Sequence, residues 1–238
     1  MQATKMLSES PRFVYVNEYG ERDPRLNPDK RESLGRAIEW IADHRGASPR
    51  ASFEKFQTGV EKDGLVLDTE AFRAGLNARR EVAEGGEHTV YLDRQTQRAL
   101  KISHPDVLGD GSIGHPKNIR EYLHNLYLHN QEFGDDIRLE GVVNLHLTPF
   151  PQVVISQPWI KRARPATLSE KKEYFTGHGY EYHADKEVFI KTTGDQWLLV
   201  GDHDGDNVLA RDTKEGVQVF PIDTQLLTSP CWPELQGK

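Results

Sequence analysis

The segment Val200-Gly201-Asp202-His203-Asp204-Gly205-Asp206-Asn207-Val208-Leu209 decides how this chain is read. The apolar run Trp197-Leu198-Leu199-Val200 leads into it, and Val208-Leu209 leads out. Between them stand three aspartates, one histidine and one asparagine. A loop of this kind between two short strands can gather carboxylate and amide oxygens around a divalent cation, and Mg²⁺ prefers oxygen ligands. Asp202 and Asn207 are five residues apart, and Asp223 closes a later apolar run, Val219-Phe220-Pro221-Ile222.

Length and composition set the frame. At 238 residues the chain has room for one two-lobed domain, or one domain with a small extension. Hydrophobic residues make up 36%, enough for a core. The net charge is −7 with both signs well mixed, and no basic block suggests a nucleic-acid groove, so nucleic acid is not expected as a partner. The one cysteine, Cys231, rules out an intrachain disulfide and fits a reducing compartment. The first residues, MQATKMLSES, lack the apolar core of a signal peptide, and no apolar run approaches membrane-spanning length. A soluble cytoplasmic protein with no membrane partner is the expectation.

Working outward to the N-terminus, Phe13-Val14-Tyr15-Val16 reads as a short strand or docking arm. Asn27-Pro28 is a helix start, with an N-cap side chain followed by proline at the first helical position. Leu34, Ala37, Ile38, Ile41 and Ala42 recur at helical spacing, and Gly46-Ala47-Ser48-Pro49 ends that helix. A second helix is expected from Asp68-Thr69, carrying Ala71, Phe72 and Leu76. With no metal or nucleophile pattern, residues 1–80 read as a mainly helical extension used for packing and recognition.

From residue 81 the pattern changes. Glu84-Gly85-Gly86-Glu87-His88 is a turn, Val90-Tyr91-Leu92 a strand, and Ala99-Leu100-Lys101-Ile102 a second strand that presents a lysine within an apolar run. Burying that lysine is costly unless it is paired. Residues 103–116 form a polar connection suited to a flap. Asn118 to Phe133 is a helix with Tyr122, Leu123, Leu126 and Tyr127 as apolar positions and Gly134 as its stop. Glu121, Asn125, Leu128 and Glu132 share one stripe of it. Strands follow at Ile137–Val143 and Val153–Ile155, the second running into Gln157-Pro158-Trp159. Thr167 or Ser169 caps a further helix that ends at Gly177-His178-Gly179. Short strands then lead to the acidic loop. The histidine pairs His124/His129 and His178/His183 are five apart, which does not suit one helix face, and no Gly-x-Ser-x-Gly elbow is present. Neither a zinc site nor nucleophilic hydrolysis is expected.

The ordered set Gly85-Gly86, Lys101, Glu121, Gln157-Pro158, Asp202, Asn207 and Asp223, with the stretches EGGEHTVYL, HNQEFGDDIRLEGVV, VVISQPWI, RPAT and GDNVL followed by PID, resembles the kinase-like domain of bacterial and phage polyvalent proteins. The resemblance covers about residues 81–225. It implies an α+β, compact two-lobed protein-kinase-like fold: an N-lobe over 81–160, a reduced C-lobe with the catalytic loop over 161–238, and the helical extension before them. It implies an ATP- and Mg²⁺-dependent phosphotransferase acting on a protein hydroxyl, in the setting of phages and mobile elements. By the same resemblance Lys101 holds nucleotide phosphates and Glu121 orients it, with Glu132 in reserve. Gly85, Gly86, Gln157 and Trp159 border the nucleotide. Asp202 is the base or positions the acceptor hydroxyl, and Asn207 and Asp223 hold Mg²⁺. ATP and an unidentified protein acceptor are the expected partners, with residues 1–80 offering a surface for another protein. Thr224-Gln225 stands where a protein kinase carries Phe-Gly. The spaced-glycine pattern is incomplete, which keeps open a nucleotide- or partner-binding pseudokinase, a small-molecule kinase and an AMP transferase.

Overall fold

The computed structural model describes residues 28–42, 49–77, 79–104, 119–146, 151–194 and 196–228. The arm expected at Phe13–Val16, most of the 103–116 connection and Cys231 lie outside them. Three helices come first: α1 (Pro28–Ala42), α2 (Pro49–Lys62) and α3 (Thr69–Asn77). Then come β1 (Arg80–Glu84), β2 (His88–Asp93), β3 (Arg98–Ser103), α4 (Ile119–Phe133), β4 (Arg138–Val143) and β5 (Gln152–Pro158). The remainder holds β6 (Arg164–Pro165), α5 (Leu168–Gly177), β7 (Glu181–His183), β8 (Val188–Thr193), β9 (Gln196–Gly201), β10 (Val208–Thr213), β11 (Gly216–Pro221) and β12 (Gln225–Thr228). Helices and antiparallel sheets together make an α+β protein, as expected. Among the described residues no helix is long and apolar enough to cross a membrane.

The first sheet has the order β1-β2-β3-β5-β4, antiparallel throughout. β3 lies at its centre and is buried at every position. Strand alternation sends its side chains to two different cores. Leu100 and Ile102 join Val154, Val143 and Leu76 of α3 on one face. Ile155 and Val153 of β5 turn to the other, where α4 contributes Ile119, Tyr122 and Leu123. Lys101 pairs in register with Ile155 and so leaves β3 on the α4 side.

The α4-side core also takes in Leu34, Ala37 and Ile41 of α1 and Phe53, Phe56 and Val60 of α2. α2 was not expected, although Phe53, Phe56 and Val60 follow helical steps and Pro49 suits a first turn. Gly59 lets α2 close on α1: a Cβ there would lie 2.2 Å from the Trp40 ring. Helices α1 and α2 thus share one core with α4 and the first sheet, and α3 adds Leu76 to the core on the sheet's other face.

The second group of strands forms two sheets, β11-β10-β6 and β12-β9-β8-β7. Their core gathers Phe175 and Tyr180 with Phe189, Val200, Val208 and Leu226, and Leu128 and Phe133 of α4 pack against it. One helix therefore serves both cores. α5 begins with a capping box in which Thr167 and Glu170 satisfy each other's backbone N–H groups. Arg164 clamps the same glutamate at 2.7 and 2.9 Å.

One close approach fastens the segment before α3. The Val142 N–H donates to the Leu65 carbonyl at 3.0 Å, and the Leu67 N–H to the Val142 carbonyl at 2.9 Å. Gly141 makes this contact with φ +146°, and a Cβ there would sit 2.1 Å from the Leu65 carbonyl oxygen. Gly141→Ala is expected to destabilise the fold by about 2 kcal/mol or more, from backbone strain and forced displacement together. A urea denaturation series checks this.

Candidate active site

Lys101 is the centre of the site. Its side chain is 5% exposed. The ammonium donates to the Ile222 carbonyl at 3.0 Å and stands 3.3 Å from Asp223 Oδ1. Burial alone would raise the Asp223 carboxyl, but Lys101 and then His88 outweigh it and hold the group below the ordinary carboxylate range. Asp223 is about half exposed, at 48%, and lines the cleft.

The acidic loop is built by backbone geometry. Asp202 adopts φ +47°, a left-handed conformation that aspartate tolerates better than most residues. Asn207 Nδ2 donates to the Asp202 carbonyl at 2.9 Å and closes the loop. The Asn207 carbonyl in turn accepts the Ile222 N–H at 2.8 Å and the Asp223 N–H at 3.3 Å. Asp202, Asn207 and Asp223 are thus tied through the Asn207 side-chain amide and main-chain carbonyl although Asp223 is distant in sequence. Beneath the loop, buried Lys171 of α5 donates to the His203 carbonyl at 2.5 Å. His203 is buried against Phe189 with Nε2 2.7 Å from the Glu187 carbonyl. It supports the loop and does not face the cleft as a ligand.

A cleft of about 660 Å³ opens between the first sheet and these loops. Gly85, Gly86, Lys101, Gln157, Trp159, Asp202, Asn207 and Asp223 all line it. Val90 and Ala99 face it from the sheet, and Leu209 and Ile222 from the other side. The Gly85 N–H donates to the His88 carbonyl at 2.9 Å, closing the glycine turn above the cleft.

Glu121 is placed differently. It is exposed in the first turn of α4 and does not join this lining. Glu132 bonds Lys191 at 2.7 Å and Tyr180 at 3.1 Å. Among the described residues the carboxylate beside Lys101 is that of Asp223, so the helix-glutamate pair expected for Lys101 is not formed. Sequence reasoning also missed what α4 does supply. Asn125 lines the cleft, and Tyr122 Oη lies 2.8 Å from His88 Nε2. Their signal was polar residues at three- and four-residue steps on the buried side of an amphipathic helix.

Whether this site suits Mg²⁺ rests on its donors. Asp202, Asp206, Asn207 and Asp223 offer hard oxygens to one cleft. No cluster of three or more His, Cys, Asp or Glu side chains converges as a cage among the described residues. Mg²⁺ characteristically takes one or two carboxylates and completes its shell with phosphate oxygens and water, so the residues fit it.

The family model of Serine/Threonine/Tyrosine kinases found in polyvalent proteins matches residues 55–229. The chain belongs to this family, and at the family level it is a kinase-type protein. The match begins inside α2, ahead of the glycine turn. Comparison with curated proteins gives no match, and comparison with solved structures gives none either.

His88 makes the site acid-sensitive. Burial, followed by the nearby Lys101 charge, pushes its imidazole down to about 4. Unfolded histidine takes up a proton near 6.5. Between these values the unfolded chain binds more protons, so stability falls as pH drops through the window and levels off below it. The loss is on the order of 3 kcal/mol across the window. Denaturation at pH 7 and pH 5 should show that His88→Gln, which retains a partner for Tyr122, flattens this acid limb.

Proposed function

We propose that the protein is an ATP- and Mg²⁺-dependent phosphotransferase that phosphorylates a protein hydroxyl. The observation that carries this reading is the convergence of Lys101, Asp202, Asn207 and Asp223 on one cleft beneath a glycine turn. In this reading the first sheet and α4 are the N-lobe of a two-lobed kinase-like fold. The strands after residue 160 are a reduced C-lobe, and residues 1–80 are an extension that offers a surface to a protein partner. The setting is a phage or mobile element and the compartment the cytoplasm.

The roles follow from the chemistry of the groups. Val90, Ala99 and Leu209 provide apolar surfaces for a purine, with Gln157 and Trp159 at the edge where β5 leaves the sheet. Lys101 supplies the fixed positive charge for phosphate oxygens, and its bond to the Ile222 carbonyl keeps it aimed. Asp223 and Asn207 would hold Mg²⁺, which supplies charge neutralisation on the phosphates. Asp202, exposed at the mouth of the loop, accepts the proton of the acceptor hydroxyl. The acceptor oxygen forms a bond to the γ-phosphorus while the bond to the bridging oxygen breaks, and ADP leaves. Such transfer is mainly positioning and charge stabilisation, which a compact scaffold can provide.

The test is incubation with Mg²⁺ and γ-labelled ATP, alone and with cell lysate. Label on protein is expected. Asp202→Ala should lower transfer by roughly 100-fold or more with a melting temperature close to that of the parent. Asp223→Ala should abolish the Mg²⁺-dependent part and also lower the melting temperature, because it strips Lys101 of its anion, so it is assayed at a temperature where circular dichroism shows it folded. Transfer that survives in Asp223→Ala overturns the metal assignment. Label from the α position in place of the γ position replaces kinase with AMP transfer. A nucleotide-induced melting shift without label makes the protein a binding module.

A further inference from the structure

α4 reaches the metal-side strand without a glutamate. Buried Tyr122 and His129 and half-buried Asn125 stand three and four residues apart, which places them on one face. Asn125 Oδ1 accepts the Leu226 N–H at 2.6 Å. His129 is 2% exposed, and its Nε2 lies 2.6 Å from the Thr224 carbonyl and 3.1 Å from the Thr224 hydroxyl. A carbonyl only accepts, so Nε2 carries a hydrogen and donates. On the other side of the ring, Nδ1 lies 3.1 Å from Asp135 Oδ2, just past the end of the helix. Phe133 packs edge-on against the ring with centroids 5.4 Å apart. The ring donates to a carbonyl from one nitrogen, faces a carboxylate with the other and lies against an aromatic wall, which leaves it one orientation.

What it holds is the residue after Asp223. Thr224 is 1% exposed, and Asp223 has its own N–H committed to the Asn207 carbonyl. The Asp223 backbone is therefore fixed from the acidic loop on one side and from α4 on the other. We infer that His129, oriented by Asp135 and assisted by Asn125, is a positioning residue for the Asp223 carboxylate. It couples α4 to the metal-binding strand through the backbone, in place of a helix-glutamate pair to Lys101. The inference rests on the reading of Asp223 as a metal ligand. Partners bonded directly to a ligand typically govern metal affinity by 10- to 100-fold, and His129, which acts through the carbonyl of the next residue, falls at the lower end of that range.

The test measures binding and needs no turnover. Mn²⁺, a paramagnetic stand-in for Mg²⁺, is titrated by electron paramagnetic resonance in the presence of a non-hydrolysable ATP analogue. The full chain is compared with Asp223→Ala, His129→Leu and His129→Gln. His129→Leu should weaken Mn²⁺ by about 10-fold or more. His129→Gln, whose amide still donates toward Thr224, should recover part of that loss. Should His129→Leu fail to fold, Asp135→Asn, which removes only the carboxylate that orients the ring, is expected to weaken Mn²⁺ in the same direction. Parent-like Mn²⁺ affinity in the folded His129 and Asp135 variants, whatever their melting temperatures, overturns the positioning role. Unchanged binding in Asp223→Ala, or no binding by the parent, overturns the metal reading beneath it and this inference with it.

Discussion

A buried ammonium needs an anion and an acceptor, and Lys101 finds both in Asp223 and the Ile222 carbonyl. That requirement joins the two halves of the molecule. Lys101 leaves the most buried strand of the first sheet, while Ile222 and Asp223 belong to the turn that feeds β12. Desolvating the ammonium without these partners would cost several kcal/mol, so the sheet and the turn are held together wherever the lysine stays buried. The same bond also gives Asp223 its low carboxyl and leaves it ionised and facing the cleft.

α4 is the second organising element, and it works by having two faces. Its apolar positions close the core made by α1, α2, β4 and β5, while Leu128 and Phe133 reach the core of the second group of strands. The polar positions between them bond to the segment after Asp223. Movement of this helix relative to the sheet would therefore be felt at the candidate metal site through Thr224 and Leu226. Helices α1 and α2 share its core. A network on the sheet completes the scaffold: Arg98 and Arg138 both pair with buried Asp136, and Ser156 links Arg98 to Glu140. Burial lowers Arg98 from its ordinary value, with Asp136 opposing that effect.

Much of this was legible in the sequence because it depends on local chemistry. The glycine turn and the lysine strand, the helix stopping at Gly134, the cap at Thr167 and the acidic loop are each set by turn residues, capping or periodicity. β1 and α2 were not legible in the same way. β1 is short, and its ladder to β2 slips between Glu81 and Ala83, which breaks the alternation that would reveal a strand. α2 has a sound apolar stripe, but Phe53, Phe56 and Val60 are spread among charged residues and gain their meaning only from the core they complete.

By itself the sequence determined the order of the elements other than α2 and β1, the acidic loop with Asp202 and Asn207, and the family, since these follow from residue types at short spacing. Only the tertiary structure decided which carboxylate meets Lys101. Helical position made Glu121 the natural partner, yet an ion pair forms where side chains converge in space, and the turn after β11 brings Asp223 there first. The same holds for His129. Nothing in its neighbours announces a contact with Thr224, which lies 95 residues away and meets it only once the two cores are packed on either side of α4.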